Sequence, residues 1–181
     1  MDDLLSVLQD DEVALIKQRW STTPLRIGTV CSGTDAPILA LDDLLSILNR
    51  NDGCREKIQI EHVFSCEHVP FKREFITQTT NPPLLFNDLM EISSKSMRGM
   101  CHDGKTKEVP KDFHVLIAGT ECVDFSSLST SQKGLRGGGR SDKTFWATHE
   151  LARVRRPAIV ILENVAKCPA DEMKRAFEKI G

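Results

Sequence analysis

Short apolar runs punctuate this chain at Leu25–Cys31, Ile58–Ser65, Leu84–Phe86, Phe113–Ala118 and Ala158–Leu162. Each is preceded by Pro, Asp or Lys, and each is too short for a buried helix. Such runs, rich in β-branched and aromatic residues, predict strands covered on both faces. Between them the apolar spacing turns helical, over about Ala36 to Asn49, Pro70 to Thr79 and residues 142–155. Pro70 suits the first turn of its helix, where a missing N–H costs nothing. Residues 1–20 also read as an amphipathic helix, stopped by Ser21-Thr-Thr-Pro24, and residues 169–180 read as another. Residues 87–112 read as part helix, then loop. Residues 119–141 read as a single long loop rich in Gly, Ser and Arg, longer than a compact domain keeps without a functional reason.

Strands alternating with helices predict an α/β fold with a mostly parallel sheet, right-handed crossovers and helices on both faces. The expected division is an N-terminal helical extension over 1–24 and one domain over 25–181. The 181 residues suffice for a real core, and 40% apolar with 28% charged residues is ordinary for a globular chain. A net charge of −2 carries no global signature of a nucleic-acid binder. The charge is uneven, however. Lys133 to Arg156 holds seven bases against Asp142 and Glu150, a stretch that could hold a phosphate backbone or simply be a solvated face. The six cysteines form no C-x-x-C pair and no zinc-type spacing, so no metal is expected. No run reaches the roughly 20 apolar residues of a membrane span, and the acidic start lacks a basic leader. The expectation is an intracellular chain with reduced thiols and no membrane partner.

Candidate chemistry clusters where strands end. In open α/β sheets ligands occupy the crevice at the carboxyl ends of the strands. The turn Cys31-Ser32-Gly33-Thr34-Asp35 follows the first strand and could bring backbone N–H groups to a ligand, or be an ordinary tight turn. Glu67 and His68 follow the second; an acid there can accept from ribose hydroxyls, or sit exposed. Asp88 and Leu89 follow the third, where Asp88 could take an adenine amino group or cap a helix. Gly119 and Cys122 follow the fourth, and Cys122 could be a nucleophile or a small buried thiol. Glu163-Asn164-Val165 follow the fifth; Glu163 could exchange a proton with a ring nitrogen if burial raised its pKa, while Asn164 could be a cap.

Taken in order, these motifs resemble those of the cytosine-5 DNA methyltransferases across about residues 26–166. The specific matches are Gly119-Thr-Glu-Cys122-Val-Asp-Phe125-Ser126, the Gly-Leu-Arg-Gly-Gly-Gly loop at 134–139, and Glu163-Asn164-Val165. The resemblance implies a Rossmann-like methyltransferase fold and S-adenosylmethionine as cofactor. It implies that Cys31, Ser32, Gly33, Thr34, Glu67, His68, Asp88, Leu89 and Gly119 hold that cofactor. It implies that Cys122 attacks C6 of a flipped cytosine, assisted by Glu163 at N3 and by Asn164, and that Ser126, Lys133, Arg136 and Arg140 meet DNA. Nuclear location follows if the source is eukaryotic, cytoplasmic otherwise.

Three positions depart from the family pattern. Glu121 precedes the cysteine where proline is usual, Val123 stands where Gln is frequent, and Asp35 replaces a second turn glycine. A carboxylate beside Cys122 is expected to raise its pKa and to leave the loop less stiff. Nothing after Glu163-Asn164-Val165 matches the family's target-recognition region, so the expectation is the front half of a catalytic domain, with the fifth strand at a sheet edge. Alternatives are an inactive methyltransferase-like regulator that binds another methyltransferase subunit, a tRNA cytosine-5 methyltransferase, and an ordinary nucleotide-binding domain. The last lacks G-x-G-x-x-G.

Overall fold

The computed structural model describes residues 15, 18–49, 57–125 and 135–180. Most of the helix expected over 1–20 lies outside them, as do Ser126 and Lys133. In chain order the elements are β1 (Leu25–Val30), α1 (Ala36–Leu48), β2 (Ile60–Cys66), α2 (Pro70–Thr79), β3 (Leu85–Phe86) and α3 (Leu89–Ile92), followed by β4 (Arg98–Met100), β5 (Thr106–Glu108), β6 (Val115–Gly119), α4 (Arg140–Arg155), β7 (Ile159–Glu163) and α5 (Ala170–Glu178).

The apolar runs become one parallel sheet in the order β3-β2-β1-β6-β7. This is the α/β architecture that the alternation predicts. Alternate residues of the central strands supply two cores. Ile27, Val115 and Ile117 pack with Ile38 of α1 on one face. Leu116 and Ala118 pack with Ala147 and Leu151 of α4 on the other. The strands reverse order after β1, and the crevice lies beyond their carboxyl ends. β7 is the edge of the described sheet, with Ile159 and Ile161 53% and 48% exposed. Beside it, Val160, Leu162, Met173 and Phe177 line an open apolar groove of about 620 Å³. No helix among the described residues is long and apolar enough to cross a membrane.

The helix and loop expected over 87–112 need correction. Only Leu89–Ile92 is helical there, and β4 and β5 form an antiparallel hairpin. Its strands are three residues each and carry Arg, Gly and Lys, so no apolar run betrays them. What holds the hairpin is non-local. Val109 N–H donates to Met97 O (2.9 Å) at its buried base. Asn87 N–H donates to Met100 O (2.9 Å) and His102 N–H to Leu85 O (2.7 Å). The hairpin thereby covers the β3 edge, which would otherwise present unpaired backbone groups.

Gly28 sets the geometry of β1. The pairing with β2 shifts register between Ile27 and Gly28, so Val63 is the extra residue of a bulge. Opposite Gly28, the fully buried Phe64 ring lies across the strand and meets Phe86 and Phe113 edge-on. A Cβ on residue 28 would fall 2.1 Å from that ring. Gly28→Ala is therefore expected to cost about 1–3 kcal/mol through overpacking. Urea denaturation checks this, and an unchanged midpoint would mean that Phe64 can move aside freely.

Candidate active site

The turn after β1 is built on a buried carboxylate. Asp35 is fully buried, sits in the left-handed region (φ 55°) and leads into α1. Its Oδ1 accepts from Thr29 Oγ1 (2.7 Å), and its Oδ2 accepts from Ser65 Oγ (2.6 Å) and Thr80 Oγ1 (3.0 Å). Hydroxyls from two strands and the end of α2 thus fix the turn from below, replacing water around the charge. His62 lies 3.8 Å from Oδ2; burial lowers its pKa, and the carboxylate opposes that shift. Sequence reasoning noted Asp35 only as a departure, and missed this network because its partners are 6, 30 and 45 residues away.

Above this base, Glu67 ties two strand ends together. Its Oε2 accepts from Gly33 N–H (2.8 Å) and its Oε1 from Val69 N–H (2.9 Å). Ser32 Oγ lies 2.7 Å from Thr29 Oγ1 and accepts from Cys66 N–H (3.2 Å), while Thr34 is exposed. Asp88 caps α3, its Oδ1 accepting from Met90 N–H (2.8 Å), and it also lines the crevice. A cavity of about 420 Å³ opens here, walled by Cys31, His68, Asp88 and Leu89 on one side and by Glu121 and Arg140 on the other. Burial, then the Glu67, Glu121 and Asp88 charges, push the Cys31 thiol up to about 12.

Glu121, beyond β6, walls this crevice, whereas Cys122 and Glu163 are not among its lining residues and Asn164 lines the apolar groove beside β7. Gly119 pairs with Glu163 across the ladder. A Cβ on Gly119 would come within 3.3 Å of Cys31 O and 3.7 Å of Glu163 Oε2, so three strand ends converge on one residue without a side chain. Asn164 closes the junction: its Nδ2 donates to both Thr120 O (3.1 Å) and Thr120 Oγ1 (2.9 Å). That amide holds the loop bearing Cys122 against the loop bearing Glu163. Cys122 is half-buried in a turn whose Phe125 N–H donates back to Cys122 O (3.0 Å), and Glu163 is exposed. Arg136 faces Glu172 (3.4 Å) rather than standing free.

The sequence profile described as C-5 cytosine-specific DNA methylase matches residues 55–181. The chain belongs to this family. A DNA (cytosine-5-)-methyltransferase DMT5 of Cryptococcus neoformans var. grubii is 38% identical over 179 residues, covering 99% of this chain and 7% of that protein. A DNA (cytosine-5-)-methyltransferase DMT5 of Verticillium dahliae is 28% identical over 190 residues, covering 79% of this chain and 8% of that protein. The chain thus spans less than a tenth of the length of these curated relatives.

For a C-5 cytosine methylase, the crevice suits S-adenosylmethionine in size and chemistry. Its volume lies in the range of small-molecule sites. Acidic groups suit a ligand that carries hydroxyls, amines and a sulfonium. Asn87 Oδ1, on a residue of the cavity wall, is buried and lacks a donor among the described residues. Asn87 and Thr144 were missed from the sequence; the start of a helix after a glycine run was the available signal for Thr144. Glu121 has partners that its sequence position did not reveal. Its carboxylate pairs with Arg140 (Oε2 to Nε 2.8 Å, Oε1 to Nη2 2.9 Å), and its charge is among those that raise Cys31.

With its pKa near 12, Cys31 holds roughly a thousandth of the thiolate of an unperturbed cysteine below pH 9. In peptide-resolved iodoacetamide labelling at pH 8, Cys31 is expected to stay unmodified while an exposed control thiol reacts fully. Labelling of Cys31 at the control rate in folded protein would mean that the cavity is open to solvent and its acids distant.

Proposed function

We propose that the protein containing this chain methylates C5 of cytosine in DNA, using S-adenosylmethionine and a covalent adduct at Cys122. The observation that supports the reading is the Asn164 amide bridging to Thr120, which ties the cysteine loop to the Glu163 loop at the carboxyl ends of β6 and β7. Cys31, Ser32, Gly33, Thr34, His68, Leu89 and Gly119 surround the cofactor in this reading. Glu67 takes ribose hydroxyls and Asp88 the adenine amino group.

When bound, S-adenosylmethionine supplies the electrophilic methyl group that C5 takes. A target base must leave the stack to reach a thiol in a crevice. The Cys122 thiolate adds to C6, and Glu163 holds a proton at N3, so that negative charge building on the ring is neutralised and C5 becomes nucleophilic. Loss of the C5 proton to water, with the N3 proton returning to Glu163, then expels Cys122 and regenerates the thiolate. Asn164 acts by positioning. Ser126, Lys133, Arg136 and Arg140 hold the DNA backbone, Arg136 by exchanging Glu172 for a phosphate and Arg140 through the N–H groups that Glu121 leaves free. A protein acting on DNA works in the nucleus of a eukaryote and in the cytoplasm otherwise.

The test uses the full-length protein and duplex DNA containing 5-fluorocytosine, whose fluorine blocks the loss from C5 that releases the enzyme. A denaturation-resistant adduct is expected with wild type and none with Cys122→Ser. An adduct persisting in Cys122→Ser would place the nucleophile elsewhere. No adduct and no labelled methyl transfer by wild type would turn the reading to a non-catalytic regulator.

A further inference from the structure

We propose that Glu121 and Arg140 form an ionic latch that positions Cys122, pinning the nucleophile loop to the first turn of α4. The inference rests on the reading of Cys122 as nucleophile, and it deepens that reading by naming what holds the thiol in place.

The loop around Cys122 touches α4 on both sides of the thiol. On its far side, Asp124 Oδ2 accepts from Ser141 N–H (2.8 Å), and Ser141 Oγ accepts from Asp124 N–H (3.0 Å). This reciprocal pair satisfies an otherwise orphaned N–H of the helix start. On its near side, Glu121 N–H donates to Thr144 Oγ1 (3.2 Å), and Glu121 Oε1 accepts from Arg140 Nη2 (2.9 Å). Glu121 Oε2 is buried and accepts no hydrogen bond among the described residues; Arg140 Nε, 2.8 Å away, faces it as a charge. One hydrogen bond and a facing charge hold the carboxylate against the first turn of α4.

The two anchors differ in kind. The Asp124–Ser141 pair is a helix cap, which many loops have. The Glu121–Arg140 pair places opposite charges on the residue before the thiol and on the first residue of α4, and both side chains wall the cavity. The loop thus gains through an ion pair the rigidity that a proline at residue 121 would give through its ring. An ion pair, unlike a ring, weakens with salt and can be inverted.

The experiment measures peptide-resolved alkylation of Cys122 in the full-length protein, with Cys168 as internal reference. The variants are Glu121→Gln, Arg140→Gln and the double exchange Glu121→Arg with Arg140→Glu. A latch predicts that both single variants free the loop and speed Cys122 alkylation in the same direction, by about threefold to fivefold, the scale of one well-formed pair. The exchange is expected to restore the wild-type rate. In wild type, raising salt from low to high should speed Cys122 alone, a readout that needs no variant to fold. Opposite changes in the two single variants would show that charge acts through space on the thiol and overturn the latch. Equal rates throughout, with no salt effect, would overturn it as well. If the latch variants behave as expected while 5-fluorocytosine DNA is never trapped, the loop is positioned but the nucleophile reading fails. The two claims are therefore separable.

Discussion

Two hydrogen bonds from one amide, Asn164 Nδ2 to the carbonyl and hydroxyl of Thr120, close the seam between the last two strands. The parallel pairing of β6 with β7 sets Gly119 opposite Glu163, but pairing alone stops at the strand ends. Beyond them each chain is a loop, and loops separate unless something ties them. Asn164 supplies that tie, while its own Oδ1 accepts from Val165 N–H (2.8 Å) and fixes the amide's orientation. Gly119 allows the close approach by lacking a side chain between Cys31 O and Glu163 Oε2. The relative placement of Cys122 and Glu163 follows from this junction more than from either residue.

The other half of the crevice has a different foundation. There the Asp35 carboxylate gathers hydroxyls from Thr29, Ser65 and Thr80, and Glu67 spans the backbone of the first and second strand ends. A buried carboxylate is tolerated only when its lone pairs are met, and removal of one partner leaves a polar group without water or donor. Two polar junctions therefore fix the strand ends, one under the β1 turn and one between β6 and β7. The apolar cores lie beneath and give the sheet its stability, while the junctions give the crevice its shape.

Much of this was legible along the chain. The five apolar runs became the five parallel strands, because the carboxyl halves of β1 and β2 and nearly all of β6 are buried and read as near-continuous apolar stretches. Candidate residues could be named at each strand end because the crevice rule applies to any open parallel sheet. The β4–β5 hairpin was not legible. Its stability comes from pairing with the β3 edge and from Met97 and Val109 at its base, neither of which leaves a periodic trace. Asp35 and Glu121 were visible only as departures from a pattern. Their partners, Ser65, Thr80 and Arg140, lie 30, 45 and 19 residues away, and spacing within one element cannot reveal contacts made by folding.

The central claim is that the Asn164 tie sets the geometry of the cysteine and glutamate loops. Asn164→Asp tests it most directly, because the side chain keeps its size but loses the donor and turns a charge toward Thr120 O. Labelled methyl transfer by the full-length protein is expected to fall about a hundredfold, the cost of misplacing reacting groups by an ångström. The thermal midpoint should stay within a few degrees, since the apolar cores are untouched. Undiminished transfer by a folded Asn164→Asp protein would contradict the account, and the loops would then be held by something other than this amide.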